Sequence, residues 1–352
     1  MELLYGIINT FQVLVIILII YYFILSFFGL YRKKEQKNYG NKNSFALVVA
    51  AHNEEIVIGK LIESLKNQNY PKEKFDIFVV ADNCSDNTAK IARDKGAKVY
   101  ERFNKVNKGK GFALEWLFEK IFSLEKHYDA IGIFDADNLV TKDWCKEMDS
   151  KMEEGYNVVQ GYIDSKYPND TWISFAYSFA FWSQNRMYQL ARRNLGLSNQ
   201  LGGTGFAIKT SIIKKFGFGV TCLAEDLELT CKLILNNQKV GWCHDAVIYD
   251  EKPLSLKQSW VQRRRWMQGF TDVASRYFFN NSTPYLISLI SSIIVLVSAV
   301  IYGSHSAQLI TICSTCDKSF TLNLTYVGNP APPRPTIPLS LTALTNDSLS
   351  VN

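Results

Sequence analysis

The 352-residue sequence predicts an α/β domain on a mostly parallel sheet, flanked by two apolar, membrane-compatible ends. Three observations carry this. Short apolar runs alternate with amphipathic segments from Ser44 onward. Three of those runs stop in polar or acidic residues. Residues 3–31 and 277–316 hold no Asp, Glu, Lys or Arg, while charge is dense between them.

Composition sets outer limits. With 47% hydrophobic and 13% aromatic residues, overall disorder is excluded and a sizeable core is available. The net charge of +6 lacks the broad basic face that a nucleic-acid partner needs. Seven scattered cysteines, an odd number, do not suggest a disulfide framework and fit a reducing compartment.

The first element, residues 6–30, is a 25-residue apolar run, where about 20 residues span a bilayer core. Glu2 precedes it, and Arg32, Lys33, Lys34, Lys37 and Lys42 follow it. That order is opposite to a secretory signal and predicts an integral protein of the cell membrane whose charged body, after Arg32, is cytoplasmic. A buried core helix is the alternative for so uniform a run. Residues 284–302 form a second candidate span, and residues 303–352 an atypical tail with five of the nine prolines, expected to be disordered. The change near Gly303 reads as a truncated or frame-shifted carboxyl terminus. Cys313 and Cys316 make a lone C-x-x-C without the partner pair zinc requires.

Within the body, residues 44–250, strands are expected at 45–51, 77–81, 97–100 and 130–134. Helical spacing separates them, for instance at Ile58, Leu61, Ile62 and Leu65. Strand–helix alternation implies parallel pairing, a sheet covered on both faces, and ligands at the carboxyl ends of the strands. Those ends carry residues 52–55, 82–86 and 135–137, all polar or acidic at their key positions. Neither a dinucleotide G-x-G-x-x-G nor a G-x-x-x-x-G-K-[ST] cradle is present. Asp135-Ala-Asp137 instead places two carboxylates at i and i+2 after a strand, suited to Mg2+ or Mn2+ together with substrate phosphates. Residues 251–280 read as amphipathic helix along the inner leaflet.

Seven motifs follow in order: Ala50-Ala-His-Asn-Glu54, Ala81-Asp-Asn-Cys-Ser-Asp-Asn-Thr88, Asn107-Lys-Gly-Lys-Gly111, Asp135-Ala-Asp137, Gly202-Gly-Thr-Gly205, Ala224-Glu-Asp226 and Gln262-Arg-Arg-Arg-Trp266. On these motifs the chain resembles the membrane-bound family 2 glycosyltransferases, which include cellulose, hyaluronan, chitin and poly-N-acetylglucosamine synthases. The resemblance implies a GT-A fold, a nucleotide-diphosphate sugar donor (most often UDP-linked) and a divalent cation. It assigns Ala51, Glu54 and Asp82 to the nucleoside and sugar-nucleotide pocket, Lys108 to the diphosphate, and Asp135 and Asp137 to the metal, Asp135 also facing the donor. Asp226 becomes the general base, and Gln262, Arg265 and Trp266 close over diphosphate and acceptor. Gly203, Thr204 and Glu225 fall on the acceptor side.

Plainer readings stand beside these. Asp226 also suits a helix cap, Trp266 a bilayer anchor, and the arginines lipid phosphates. Lys108 and Lys110 beside two glycines suggest an anion-binding loop or a solvated one. His52 and His244 read as structural. The aromatics between Trp172 and Tyr188 read as packing rather than a sugar platform. Polymer-extruding relatives need several spans after the last motif, and this chain offers one candidate. A non-processive enzyme with a lipid acceptor is therefore the second expectation. An inactive nucleotide-sugar-binding scaffold subunit is the third.

Overall fold

The computed structural model describes residues 2–35 and 37–278; the second candidate span, the tail and the C-x-x-C lie outside them. At its centre are four strands: β1 (Phe45–Ala51), β2 (Phe75–Asp82), β3 (Lys98–Arg102) and β4 (Ala130–Asp135). They pair in parallel, in the order β3-β2-β1-β4. Strand period two sorts β1 between two cores. Phe45, Leu47 and Val49 pack with Ile58, Leu61, Ile62 and Leu65 of helix α2 (Ile58–Lys66). Ala46 and Val48 pack with Leu114, Leu117 and Phe118 of α4 (Lys110–Phe122). Helix α3 (Thr88–Asp94) joins the α2 face through Ala92.

Beyond β4 the sheet turns mixed. Strand β5 (Leu139–Val140) follows the acidic turn, and helix α5 (Trp144–Glu153) leads to β6 (Val158–Ser165). Strand β7 (Phe206–Lys209) runs antiparallel to both β4 and β6, and β8 (Val240–Asp250) lies parallel to β6. Since β5 pairs antiparallel with the end of β8, Tyr249 and Asp250 come beside the acidic turn. Four of the seven pairings are parallel.

Between β6 and β7 the aromatic segment is not one helix. Helix α6 (Trp172–Ser183) starts from a Thr171–Ser174 capping box, then widens into a π-helix over Gln184–Leu190 before α7 (Ala191–Asn194). Such widening is uncommon and frequently marks functional sites. Helices α8 (Thr210–Phe216), α9 (Glu225–Leu235) and α10 (Leu256–Phe278) complete the body. Gly269 lets α10 lie directly on the start of α9, because a Cβ there would sit 2.6 Å from the Ala224 nitrogen.

Among the described residues no helix is long and apolar enough to cross a membrane. The span expected at 6–30 falls on helix α1 (Glu2–Phe27), where Asn9, Thr10 and Gln12 leave the uninterrupted apolar stretch at 13–25. Its described side chains are largely exposed, including Ile16, Ile17, Ile20, Phe23 and Ile24. The basic segment after it is a clasp. Arg32 and Lys37 both pair with Asp245, Lys37 also reaches Glu147 at 2.8 Å, and Glu35 accepts from Lys151 and stands in an ion pair with Arg193. Gly29 seats α1 on the π-helix, where any Cβ would overlap the Arg186 carbonyl.

Burial raises the Asp245 pKa, but Arg32 and Lys37 outweigh it and hold the carboxyl down at about 2. A depressed carboxylate stabilises above its unfolded pKa and loses that contribution as pH falls through the folded one. The clasp is therefore expected to weaken between about pH 4 and about pH 2. Asp245→Asn should cost about 1 kcal/mol at pH 7 and show a smaller acid-induced loss of Tm over that window. Equal pH dependence in parent and variant would contradict this.

Candidate active site

The carboxyl ends of β1 and β4, the loop before β7, the start of α9 and one side of α10 surround a cavity of about 650 Å³. Its centre is a four-residue loop, Gly202 to Gly205, that ties these parts together. The Gln160 carboxamide accepts from the Gly202 N–H at 2.8 Å and donates to the Thr204 carbonyl at 2.9 Å. The Thr204 hydroxyl accepts from the Asp135 N–H at 3.0 Å and donates to Asn138. Gly203 has φ +82°, and a Cβ on it would stand 3.7–3.9 Å from the Asp226 carboxyl group. The loop thus holds the acidic turn and Asp226 around one space.

The acidic turn is crowded with like charge. Asn138 donates to both Asp137 and Asp250, at 3.2 and 3.1 Å. Burial first, then Asp250, Asp135 and Glu251, push Asp137 up to about 8. The other carboxylates have resident cations: Lys110 on Asp135 at 2.6 Å, Lys252 on Asp250 at 2.9 Å and Lys166 on Glu251 at 3.1 Å. Glu54 is raised as well, by burial and then by Glu251 and Asp135.

Asp226 lies in the first turn of α9 and accepts from the Leu227 N–H at 2.9 Å. Burial pushes its pKa up to about 6; the Leu227 hydrogen bond opposes this, Glu225 adds to it and Lys110 opposes it. A carboxylate so poised accepts a proton near neutrality.

Glu54, Lys108, Asp135, Asp137, Gly203, Thr204, Glu225, Asp226, Gln262, Arg265 and Trp266 all line the cavity. The two others expected there do not. Ala51 is buried, with its carbonyl toward Cys84, and the neighbouring Ala50 lines the wall instead. Asp82 is locked in a buried pair with Arg102 at 2.5 Å, beside a separate cavity of about 340 Å³ that includes Arg102 and Trp116. Thr204 lines the cavity, and its hydroxyl also braces the loop through its own hydrogen bonds. His52 Nδ1 sits 2.7 Å from the Asp82 carbonyl, and burial lowers His244 to about 4, so its ring is neutral. On α10, Arg263 stacks on Tyr177 and bonds its hydroxyl, which turns Arg265 and Trp266 toward the cavity.

Sequence reasoning placed Lys110 only in an anion-binding or solvated loop and passed over two further features. Lys110, at the rim of the acidic turn, outranks the exposed Lys108 in contact. Asp250 and Glu251 arrive from the far end of β8, a long-range pairing with no local signal. The π-helix supplies Gln184, Asn185 and Gln189 to the wall.

Among the described residues no group of three or more His, Cys, Asp or Glu forms a ready-made metal site. Mg2+ and Mn2+ at phosphate-handling sites commonly take one or two carboxylates and complete their shell with substrate oxygens and water. The all-oxygen Asp135–Asp137 pair suits that arrangement, and Asp137 has no cation of its own among the described ion pairs. The residues present therefore fit such an ion when a diphosphate accompanies it.

Fold and cavity together define a GT-A-like α/β architecture with its site at the strand ends. The mannosyltransferase PcManGT of Pyrobaculum calidifontis, solved with GDP-Man and Mn2+, superimposes with a TM-score of 0.60 over 84% of this chain and 87% of its own, at 17% identity. S. aureus TarS 1-349, solved with UDP-GlcNAc, gives 0.51 over 72% and 71%, at 18% identity. At such identities the likeness concerns the fold. Residues 42–269 match the family described as glycosyltransferase like family 2, and the chain belongs to that family. It is 29% identical over 245 residues to a probable glycosyltransferase, YdaM, of Bacillus subtilis, covering 67% of this chain and 57% of that one. It is 27% identical over 237 residues to the beta-monoglucosyldiacylglycerol synthase of a Synechocystis species (63% and 47%), and 26% over 244 residues to the poly-beta-1,6-N-acetyl-D-glucosamine synthase of Staphylococcus epidermidis (66% and 56%). The match spans about half the length of these curated relatives.

Two stability tests follow from the geometry. Asp226 has a folded pKa above its unfolded value, so folding is progressively opposed as pH rises from about 4 to about 6, and the full penalty stands above that. Asp226→Asn should raise Tm relative to the parent at pH 8 and lose that advantage near pH 4; an unchanged difference would contradict the buried-carboxylate account. Gly203→Ala, forced to positive φ, should cost about 1–2 kcal/mol in urea unfolding. No cost would mean that the loop is not held as described.

Proposed function

We propose that the protein is a membrane-associated, inverting glycosyltransferase that moves a sugar from a nucleotide-diphosphate donor, UDP-linked, onto a glycan acceptor, as polysaccharide synthases do. The observation that carries this is one cavity faced by both the Asp135–Asp137 pair and Asp226, with Arg265 on its wall. Family membership and the fold likeness support a sugar-nucleotide donor.

The residues divide the work. Sugar transfer leaves negative charge on the departing diphosphate, so groups that stabilise developing charge lower the barrier. Arg265 and Lys108 on the cavity wall serve that end, and Asp135 and Asp137 would hold the divalent ion. When bound, the ion neutralises diphosphate charge. Asp226 takes the proton of the attacking acceptor hydroxyl. A single displacement from the face opposite the leaving group inverts the anomeric centre, so an α-linked donor yields a β product.

Membrane association is supported by apolar surface. Helix α1 exposes Ile16, Ile20 and Phe23, α6 exposes Trp172, Phe175 and Phe179, and the start of α10 exposes Leu256, Trp260 and Val261. Exposed apolar side chains grouped on a helix suit membrane or partner contact. Because α6 and α10 also supply Tyr177, Phe181, Gln262 and Trp266 to the cavity, the site opens close to that surface. This favours a second reading, a lipid acceptor used without processive extension. The reading places the catalytic body on the cytoplasmic side of the cell membrane.

The test is turnover of a panel of UDP- and GDP-sugars in membranes or nanodiscs with Mn2+ or Mg2+, followed by linkage analysis of the product. Asp226→Asn should lower transfer by about 100- to 10,000-fold while retaining donor binding. The parent's rate should fall on the acid side with an apparent pKa of about 6. No turnover with any donor and acceptor would favour the inactive binding-scaffold reading.

A further inference from the structure

The acidic turn is not an open cup. The Lys110 ammonium lies 2.6 Å from Asp135 Oδ1, donates to the Gly203 carbonyl at 2.7 Å and stands 3.6 Å from Glu225. It thereby spans the three parts of the site: metal pair, loop and base helix. The position is built rather than incidental. Lys110 opens α4 directly after Gly109 at φ +113°. The next residue, Gly111, packs so closely on the Val220 carbonyl that a Cβ would come within 2.7 Å. The start of the helix, and with it the root of the lysine, is fixed. Asp137, the other half of the pair, has no such partner among the described ion pairs.

Resting on the sugar-nucleotide reading above, we propose that Lys110 is a resident counter-ion that a divalent cation must displace from Asp135. A single positive charge already occupies one of the two carboxylates that would hold a doubly charged ion. An incoming ion meets repulsion from the ammonium, and one of its ligands is engaged in a charge-assisted hydrogen bond. An arriving diphosphate changes both terms, because its negative charge favours the ion and offers the displaced ammonium a new partner. The metal therefore binds weakly to the free protein and tightly with the diphosphate. Lys110 is in this sense a positioning residue that couples the two ligands.

The experiment measures Mn2+ binding directly, from loss of the free-ion signal in electron paramagnetic resonance, without turnover. Parent, Lys110→Met, Lys110→Gln and Lys110→Arg are titrated with Mn2+ alone, with Mn2+ plus UDP and with Mn2+ plus GDP. Thermal melts verify that each variant is folded. The parent should bind Mn2+ alone at least about tenfold more weakly than the neutral variants. The diphosphate should tighten Mn2+ binding strongly in the parent and Lys110→Arg, and less in Lys110→Met and Lys110→Gln. Equal Mn2+ affinity in the parent and a folded neutral variant would overturn the counter-ion. Absence of Mn2+ binding from every protein, with either diphosphate present, would instead overturn the metal-dependent reading beneath it.

Discussion

One hydroxyl group holds the site together. Thr204 Oγ1 accepts from the Asp135 backbone N–H while its own proton goes to Asn138, which in turn reaches Asp137 and Asp250. The same loop carries Gly203 alongside Asp226 and fastens to Gln160 on β6. That contact joins the loop to the end of β4, alongside the Gly205 N–H bond to the Ile133 carbonyl, and Asn138 carries the link on to the end of β8. Buried polar networks of this kind specify geometry only when each member is satisfied, and each of these is.

Charge around the cavity follows a consistent logic. Carboxylates gather where a cation and a proton acceptor are needed, and lysines neutralise the others, Lys252 for Asp250 and Lys166 for Glu251, while Lys110 holds Asp135 until a cation arrives. Asp226 and Asp137 are left with raised pKa values, the condition expected of groups reserved for ligands or protons. The same economy appears at the other end of the body. There the basic run that looks, in one dimension, like a topogenic signal spends Arg32 and Lys37 on Asp245.

How much of this was legible in the sequence depended on the range of the interactions. Strands β1, β2 and β4 are continuous apolar runs, so their burial and parallel pairing could be read directly. Strand β6, VVQGYIDS, mixes polar residues into its pattern, and β7 is only four residues long; neither offers a clear period. The paired carboxylates and Asp226 stood in short local motifs, whereas Asp250 and Glu251 are brought in by pairing across more than a hundred residues. Asp82 looked available because its partner, Arg102, lies twenty residues on, across a strand pair. The π-helix was hidden for a similar reason: its sequence, QNRMYQL, suits an ordinary helix, and it is the seat for Gly29, just after α1.

The most direct measurement is a structure of the protein with Mn2+ and a nucleoside diphosphate bound. The account predicts the ion between the diphosphate and the Asp135–Asp137 pair, with Arg265 on the phosphates and Asp226 facing the vacant acceptor side of the same cavity. A diphosphate seated instead in the smaller cavity beside Arg102 and Trp116, with the acidic pair untouched, would contradict it.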